Sequence, residues 1–252
     1  MPLLDHFHPP QSLNCDWPSV HGTWITTILQ RLNASVLSPG YVARSFVRLG
    51  NSVEVDVSAL RWQQPHSFES GNGAGRVAVA PHVYAPPTAP IAGAADFTDP
   101  DLFEVQIFRG EGQWQMVAAI ELVSEANKDR PETRRAFAVK CASYLQRGIS
   151  VVFVDVVTTR SADFHTELGR LLHWPAEFHW TSPSGLSAIS YRAVAREEEV
   201  HLEVWPHALA VGTALPTVPL WLAPDLAVPL ELELTYAAAC QSLRLDNSPP
   251  NP

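Results

Sequence analysis

The chain reads as α/β (α+β): a mixed central sheet flanked by helices, with a long loop insertion and a C-terminal strand and helix extension. Three observations predict this. Residues 41–60 alternate apolar and polar side chains in two runs, as half-buried strands do. Residues 115–157 run strand, helix, strand with short joins, which implies a parallel crossover. The last of these, 149–157, is a continuous, largely β-branched run, typical of a strand buried on both faces.

Taken in order, residues 1–17 form a Pro-rich arm expected to lie over the domain. A helix is expected from about Pro18, capped by Asp16 or Ser19. Its residues His21, Trp24, Ile25, Ile28, Leu29 and Leu32 recur at helical spacing. Pro39-Gly40 closes that segment. Strands over 41–49 and 53–60 flank a Gly50-Asn51 turn. Residues 63–101 carry dense Pro and Gly punctuation, with a strand pattern only at 76–83, and read as the insertion. A second hairpin, 103–108 with 115–124, turns around Arg109-Gly-Glu-Gly112. The crossover helix covers 131–147, with Gly148 as C-cap. Further along, 164–172 reads as a short helix and 186–194 with 200–205 as a strand pair. Residues 206–229 read as irregular, 230–245 as a closing helix, and 246–252 as a disordered tail. The whole is expected to form a single domain, 1–252.

Composition narrows the function classes. The 252 residues are 46% hydrophobic and 17% charged, a globular balance. A net charge of −9 argues against coating nucleic acid by bulk electrostatics, while leaving room for a local basic cleft. Cys15, Cys141 and Cys240 lack ligand spacing and fit reduced thiols in a cytoplasmic protein. No apolar run approaches the ~20 residues of a membrane span, and the N-terminus lacks a secretory pattern. The histidines are scattered and form no metal signature, although His21 could reach a site from its helix.

Two charged residues stand where apolar ones belong. Glu121 lies in the strand Met116-Val-Ala-Ala-Ile-Glu-Leu-Val-Ser124, sharing a face with Ala119 and Val123. A carboxylate there is costly unless paired, hydrogen-bonded or bound to metal. Lys140 shares a helical stripe with Phe137, Cys141 and Tyr144, which should face the sheet. A lysine on such a stripe either snorkels outward or reaches an acid. Asp56, in Val53-Glu-Val-Asp-Val57, supplies a second strand acid. Asp155, in Val151-Val-Phe-Val-Asp155, reads as structural, holding the following loop.

These residues resemble the PD-(D/E)xK nuclease-like superfamily, in the branch of the Uma-type restriction endonuclease-like proteins. The pieces are Asp56 in Glu-Val-Asp-Val, Glu121-Leu-Val-Ser124, Lys140-Cys-Ala-Ser-Tyr144-Leu-Gln-Arg-Gly148 and Val151-Val-Phe-Val-Asp155. More narrowly, the chain resembles the bacterial family catalogued as domain of unknown function 4058. There the matches are Trp17-Pro-Ser-Val-His21, Glu121-Leu-Val-Ser-Glu-Ala-Asn-Lys128 and Leu215-Pro-Thr-Val-Pro-Leu220. Two departures stand out. Val123 occupies the place of the lysine two residues after the glutamate, so Lys140 or Lys128 must replace it. Val55 stands where a proline precedes the first acid.

The resemblance implies a restriction-endonuclease-like fold and Mg²⁺-dependent phosphodiester hydrolysis of DNA or RNA. Asp56, Glu121 and the Val123 carbonyl would hold the cation, and Lys140 would act in catalysis. The alternative is a catalytically inactive scaffold that binds a partner, with Glu121 and Lys140 forming a buried salt bridge. Nucleic acid is the expected partner, a homodimer is admitted, and no membrane is involved.

Overall fold

The computed structural model describes residues 1–46, 55–62, 85, 87–94, 109–110, 112–196 and 199–245. The arm carries one helical turn, α1 (Gln11–Asn14), and leads into α2 (Trp17–Arg31). Of the two expected caps it is Asp16 that serves, accepting from the Ser19 amide at 3.2 Å. The helix ends in a π-helical turn, Leu32–Val36, and Gly40 follows at φ +95°, a backbone state glycine reaches without strain.

Then come β1 (Tyr41–Phe46), β2 (Val55–Trp62), β3 (Ile91–Ala94), β4 (Arg109–Gly110) and β5 (Gly112–Leu122). Next are α3 (Glu125–Asp129), α4 (Pro131–Gln146), β6 (Ser150–Asp155) and α5 (Phe164–Leu171). The chain closes with β7 (Leu186–Arg196), β8 (Glu199–Leu209), β9 (Thr217–Ala223), β10 (Leu226–Glu231) and α6 (Leu232–Ser242).

The architecture is mixed α/β, with a central, mostly antiparallel sheet flanked by helices. Its strand order is β1-β2-β5-β6-β7-β8-β3, with β4 folded back on β5. Only β5 and β6 run parallel among the described pairs, joined through α3 and α4 as the short strand–helix–strand spacing requires. Period-two alternation splits the core in two. Ala118, Ile120, Leu122, Val152 and Val154 face α2, α6, the arm and the β9–β10 hairpin. Ala119, Val123, Val151, Phe153, Ile189 and Tyr191 face α4 and α5.

Three expectations need correction. Residues 206–229 are not irregular: β8 runs through Pro206 to Leu209, and β9 and β10 form an antiparallel hairpin. Their prolines are tolerated because the hairpin is its own two-stranded sheet, where few positions need a ladder amide. Within the insertion, β3 at Ile91–Ala94 pairs with β8; the strand pattern at 76–83 lies outside the described residues. The C-terminal helix is shorter than expected, because 230–231 still belong to β10. The turn at Gly50-Asn51, the strand at 103–108 and the tail 246–252 also lie outside the described residues.

The arm is held tightly. The Leu3 amide donates to the Thr213 carbonyl and the Gly212 amide to the Leu3 carbonyl, each at 2.8 Å. Leu3 is buried, and the Tyr236 hydroxyl meets both the Leu4 amide and His6 Nε2, at 2.9 and 2.7 Å. No described helix is long and apolar enough to cross a membrane.

Candidate functional site

Glu121 is the last residue but one of β5 and faces α4. The partner is Lys140: its Nζ donates to Glu121 Oε2 at 2.7 Å, with both side chains buried. Lys140 does not snorkel outward. Its stripe of Phe137, Cys141 and Tyr144 is buried against the sheet, and its ammonium lies 5.4 Å from the Phe137 ring centroid. Glu121 is 2% exposed and Lys140 8%. An ion pair so dry is held by its geometry, since desolvation of two charges offsets most of their attraction. The field of this pair reaches Cys141, whose thiol is pushed far above its usual range, by burial first and by the Glu121 charge second.

The β2–β5 ladder brings in the second acid. Val57 pairs with Ile120 in antiparallel register. One step further along each strand stand Asp56 and Glu121, so the antiparallel register brings their backbone positions next to each other. Val123 follows on β5's path, its side chain in the α4-facing core and its amide donating to the Val154 carbonyl at 2.9 Å. The Glu121–Lys140 pair therefore stands at one end of the β2–β5 ladder, with Val123 just beyond it on β5's path and the backbone of Asp56 one residue past the last paired position of β2. Among the described residues no three His, Cys, Asp or Glu side chains cluster as a metal-ligand group.

Lys128 does not share this site. It is fully buried, and its Nζ meets Asp155 Oδ2 at 2.8 Å and the Val157 and Arg160 carbonyls at 3.0 and 3.1 Å. Three acceptors use all three ammonium protons. Of the two lysines able to stand in for the one missing at position 123, Lys140 is the one at Glu121. Asp155 has the structural role its position implied, accepting from the Val157 amide at 3.1 Å. Burial pushes its carboxyl up to about 6, while the Lys128 ammonium and these bonds pull it back.

The stretch from Glu121 to Lys128 is thus resolved residue by residue. Glu121 takes Lys140. Ser124 and Asn127 form a capping box that starts α3, the Ser124 amide donating to Asn127 Oδ1 at 2.8 Å. Lys128 then locks α3 to the loop after β6, supported by Thr159 donating to Glu125 at 2.7 Å and by an Arg160–Asp129 ion pair.

His21 reaches the same region from the opposite face of the sheet. Its Nε2 lies 3.0 Å from the Leu122 carbonyl, one residue beyond Glu121. Sequence spacing put His21 on the packing face of α2; only the fold brings it to the end of β5. A second cluster was missed altogether. The Arg192 guanidinium lies 3.6 Å from the centroid of the Trp221 ring, donates to the Pro224 carbonyl at 2.7 Å and pairs with Glu203. It fastens the β9–β10 hairpin to the main sheet. Its signal was hidden because the hairpin itself was not foreseen.

Comparison with protein-family models, with curated proteins and with solved structures finds no match.

Proposed function

We propose that the chain is a metal-dependent nuclease of the PD-(D/E)xK-like kind, hydrolysing phosphodiester bonds in nucleic acid. The observation that carries this reading is the buried Lys140–Glu121 contact of 2.7 Å beside the backbone position of Asp56. Two strand acids and a lysine at one point are what such chemistry needs, and a helix-borne lysine makes good the Val123 departure. The order α2, β1, β2, β5, α4, β6, with β5 and β6 parallel, supports the restriction-endonuclease-like fold that the same reading implies.

A donor set of two carboxylates and a backbone carbonyl suits a hard divalent cation such as Mg²⁺. Asp56, Glu121 and the Val123 carbonyl would hold it. When bound, the cation would acidify a water and polarise a phosphate oxygen. Glu121 holds the Lys140 ammonium in place, and Lys140 would orient the water or offset charge developing at phosphorus. Burial by Phe137, Cys141 and Tyr144 keeps bulk water from screening that charge.

A second reading has its own support: the pair is sealed, which suits a nuclease-like scaffold that binds a partner without cleaving. One set of variants separates the two. Asp56→Asn and Glu121→Gln are expected to lose Mg²⁺ binding, and Lys140→Ala to lose cleavage of DNA or RNA with Mg²⁺ still bound. Mg²⁺ binding by both acid variants at wild-type strength would refute the site.

A further inference from the structure

We infer that His21 is a positioning residue of this site, fixing the end of β5 so that Glu121 is presented opposite Asp56; the inference rests on the metal reading above. The argument starts from the peptide unit joining Leu122 and Val123. Its N–H points to β6, donating to the Val154 carbonyl at 2.9 Å. In a trans peptide the C=O points the opposite way, so the Leu122 carbonyl points to the β2 side of β5. There the described ladder pairs run from Trp62↔Trp114 to Val57↔Ile120. Leu122 lies two residues past that last pair, and His21 Nε2 meets its carbonyl at 3.0 Å. A carbonyl can only accept, so Nε2 carries the proton, and the basic nitrogen of the neutral ring is Nδ1.

The ring is itself packed by an aromatic neighbour. Trp17 lies one helical turn before it, and the two rings meet edge-on at 5.6 Å and 66°. Trp17 in turn packs on Phe7 at 5.0 Å and on His6 at 5.9 Å, tying it to the arm. The Trp17-Pro-Ser-Val-His21 segment thereby has a single geometric purpose. Asp16 and Pro18 start the helix, Trp17 anchors it to the arm, and His21 projects one turn later to the strand end. Losing the His21 bond leaves the Leu122–Val123 peptide, one residue beyond Glu121, held on its β6 side through the Val123 amide. A ligand carboxylate whose backbone can shift holds a cation less well, as with other groups that orient metal ligands.

Mn²⁺ serves as the probe, titrated by calorimetry into the full chain as wild type, Glu121→Gln, His21→Ala and His21→Gln, with melting temperatures alongside. The expected result is Glu121-dependent binding in wild type, weakened roughly 10- to 100-fold in His21→Ala. His21→Gln keeps an N–H donor and recovers most of the affinity. Unchanged affinity in His21→Ala, with or without a lower melting temperature, overturns the role of His21 and leaves the metal site standing. Weakening that His21→Gln fails to relieve also overturns it. No binding by wild type overturns the metal reading, and this inference with it.

Discussion

At the residue scale, two buried lysine–carboxylate pairs set the chemistry, and they predict different outcomes. Lys128→Met leaves Asp155 buried without its cation, and is expected to cost about 3–5 kcal/mol in denaturant unfolding. Mn²⁺ affinity should stay the same in whatever fraction remains folded, because Lys128 serves α3 and the loop after β6. A loss below about 1 kcal/mol would mean that the pair contributes little. His6 gives a pH prediction. Burial lowers its imidazole to about 4, against a weak opposing pull from Asp5. The unfolded chain therefore takes up a proton from 6.5 downward that the folded chain refuses until about 4. Stability is full above the unfolded value and is lost as pH falls through that window, on the order of 3 kcal/mol. Asp155 works in the other direction, since its raised carboxyl keeps a proton in the fold that the unfolded chain releases. Comparing wild type with His6→Gln isolates the histidine. The wild type should lose more stability between those pH values, and parallel curves would exclude His6 as the cause.

Element-scale features were the most legible in the sequence. The Asp16 cap and the crossover were readable because each rests on a local signal: a side chain placed to accept from Ser19, and a helix followed by the unbroken β-branched run of β6. The β9–β10 hairpin was not, because its prolines mimic loop punctuation and only tertiary packing makes them strand residues. Within the candidate site, Glu121 and Lys140 could be read as misfits on apolar faces. The Lys128–Asp155 bond and the reach of His21 depend on how elements pack, and no spacing encodes that. One element carries a prediction of its own. β1 pairs with β2 on one side, and on the other Asn33 brackets Ala43. Its amide accepts from the Ala43 N–H at 2.9 Å and donates to the Ala43 carbonyl at 3.0 Å. Asn33→Ala should cost about 1–3 kcal/mol by leaving both backbone groups without this partner. It should also raise self-association, seen by light scattering, because unpaired edges recruit strands. A variant as stable and monodisperse as wild type would refute this role.

At the scale of the whole molecule, the sheet is braced on both faces. α2 is tied to α6 by Trp24 Nε1 donating to Thr235 at 3.1 Å, and to the end of β10 by Arg31 pairing with Glu231 at 2.7 Å. α4 and α5 cover the other face through Phe137 and Phe164, whose rings lie 4.5 Å apart. Between these layers the end of β5 is held on one face by Lys140 at Glu121 and met by His21 at the Leu122 carbonyl. A net charge of −9 makes local geometry, rather than bulk attraction, the source of any affinity for a polyanion. The central claim is that Asp56 and Glu121 together hold a divalent cation. Calorimetric titration of Mn²⁺ into wild type, Asp56→Asn and Glu121→Gln tests it most directly. The account predicts saturable binding in wild type that disappears in both variants while their folds persist by circular dichroism. Wild type that binds no Mn²⁺, or folded variants that bind it as wild type does, would contradict it.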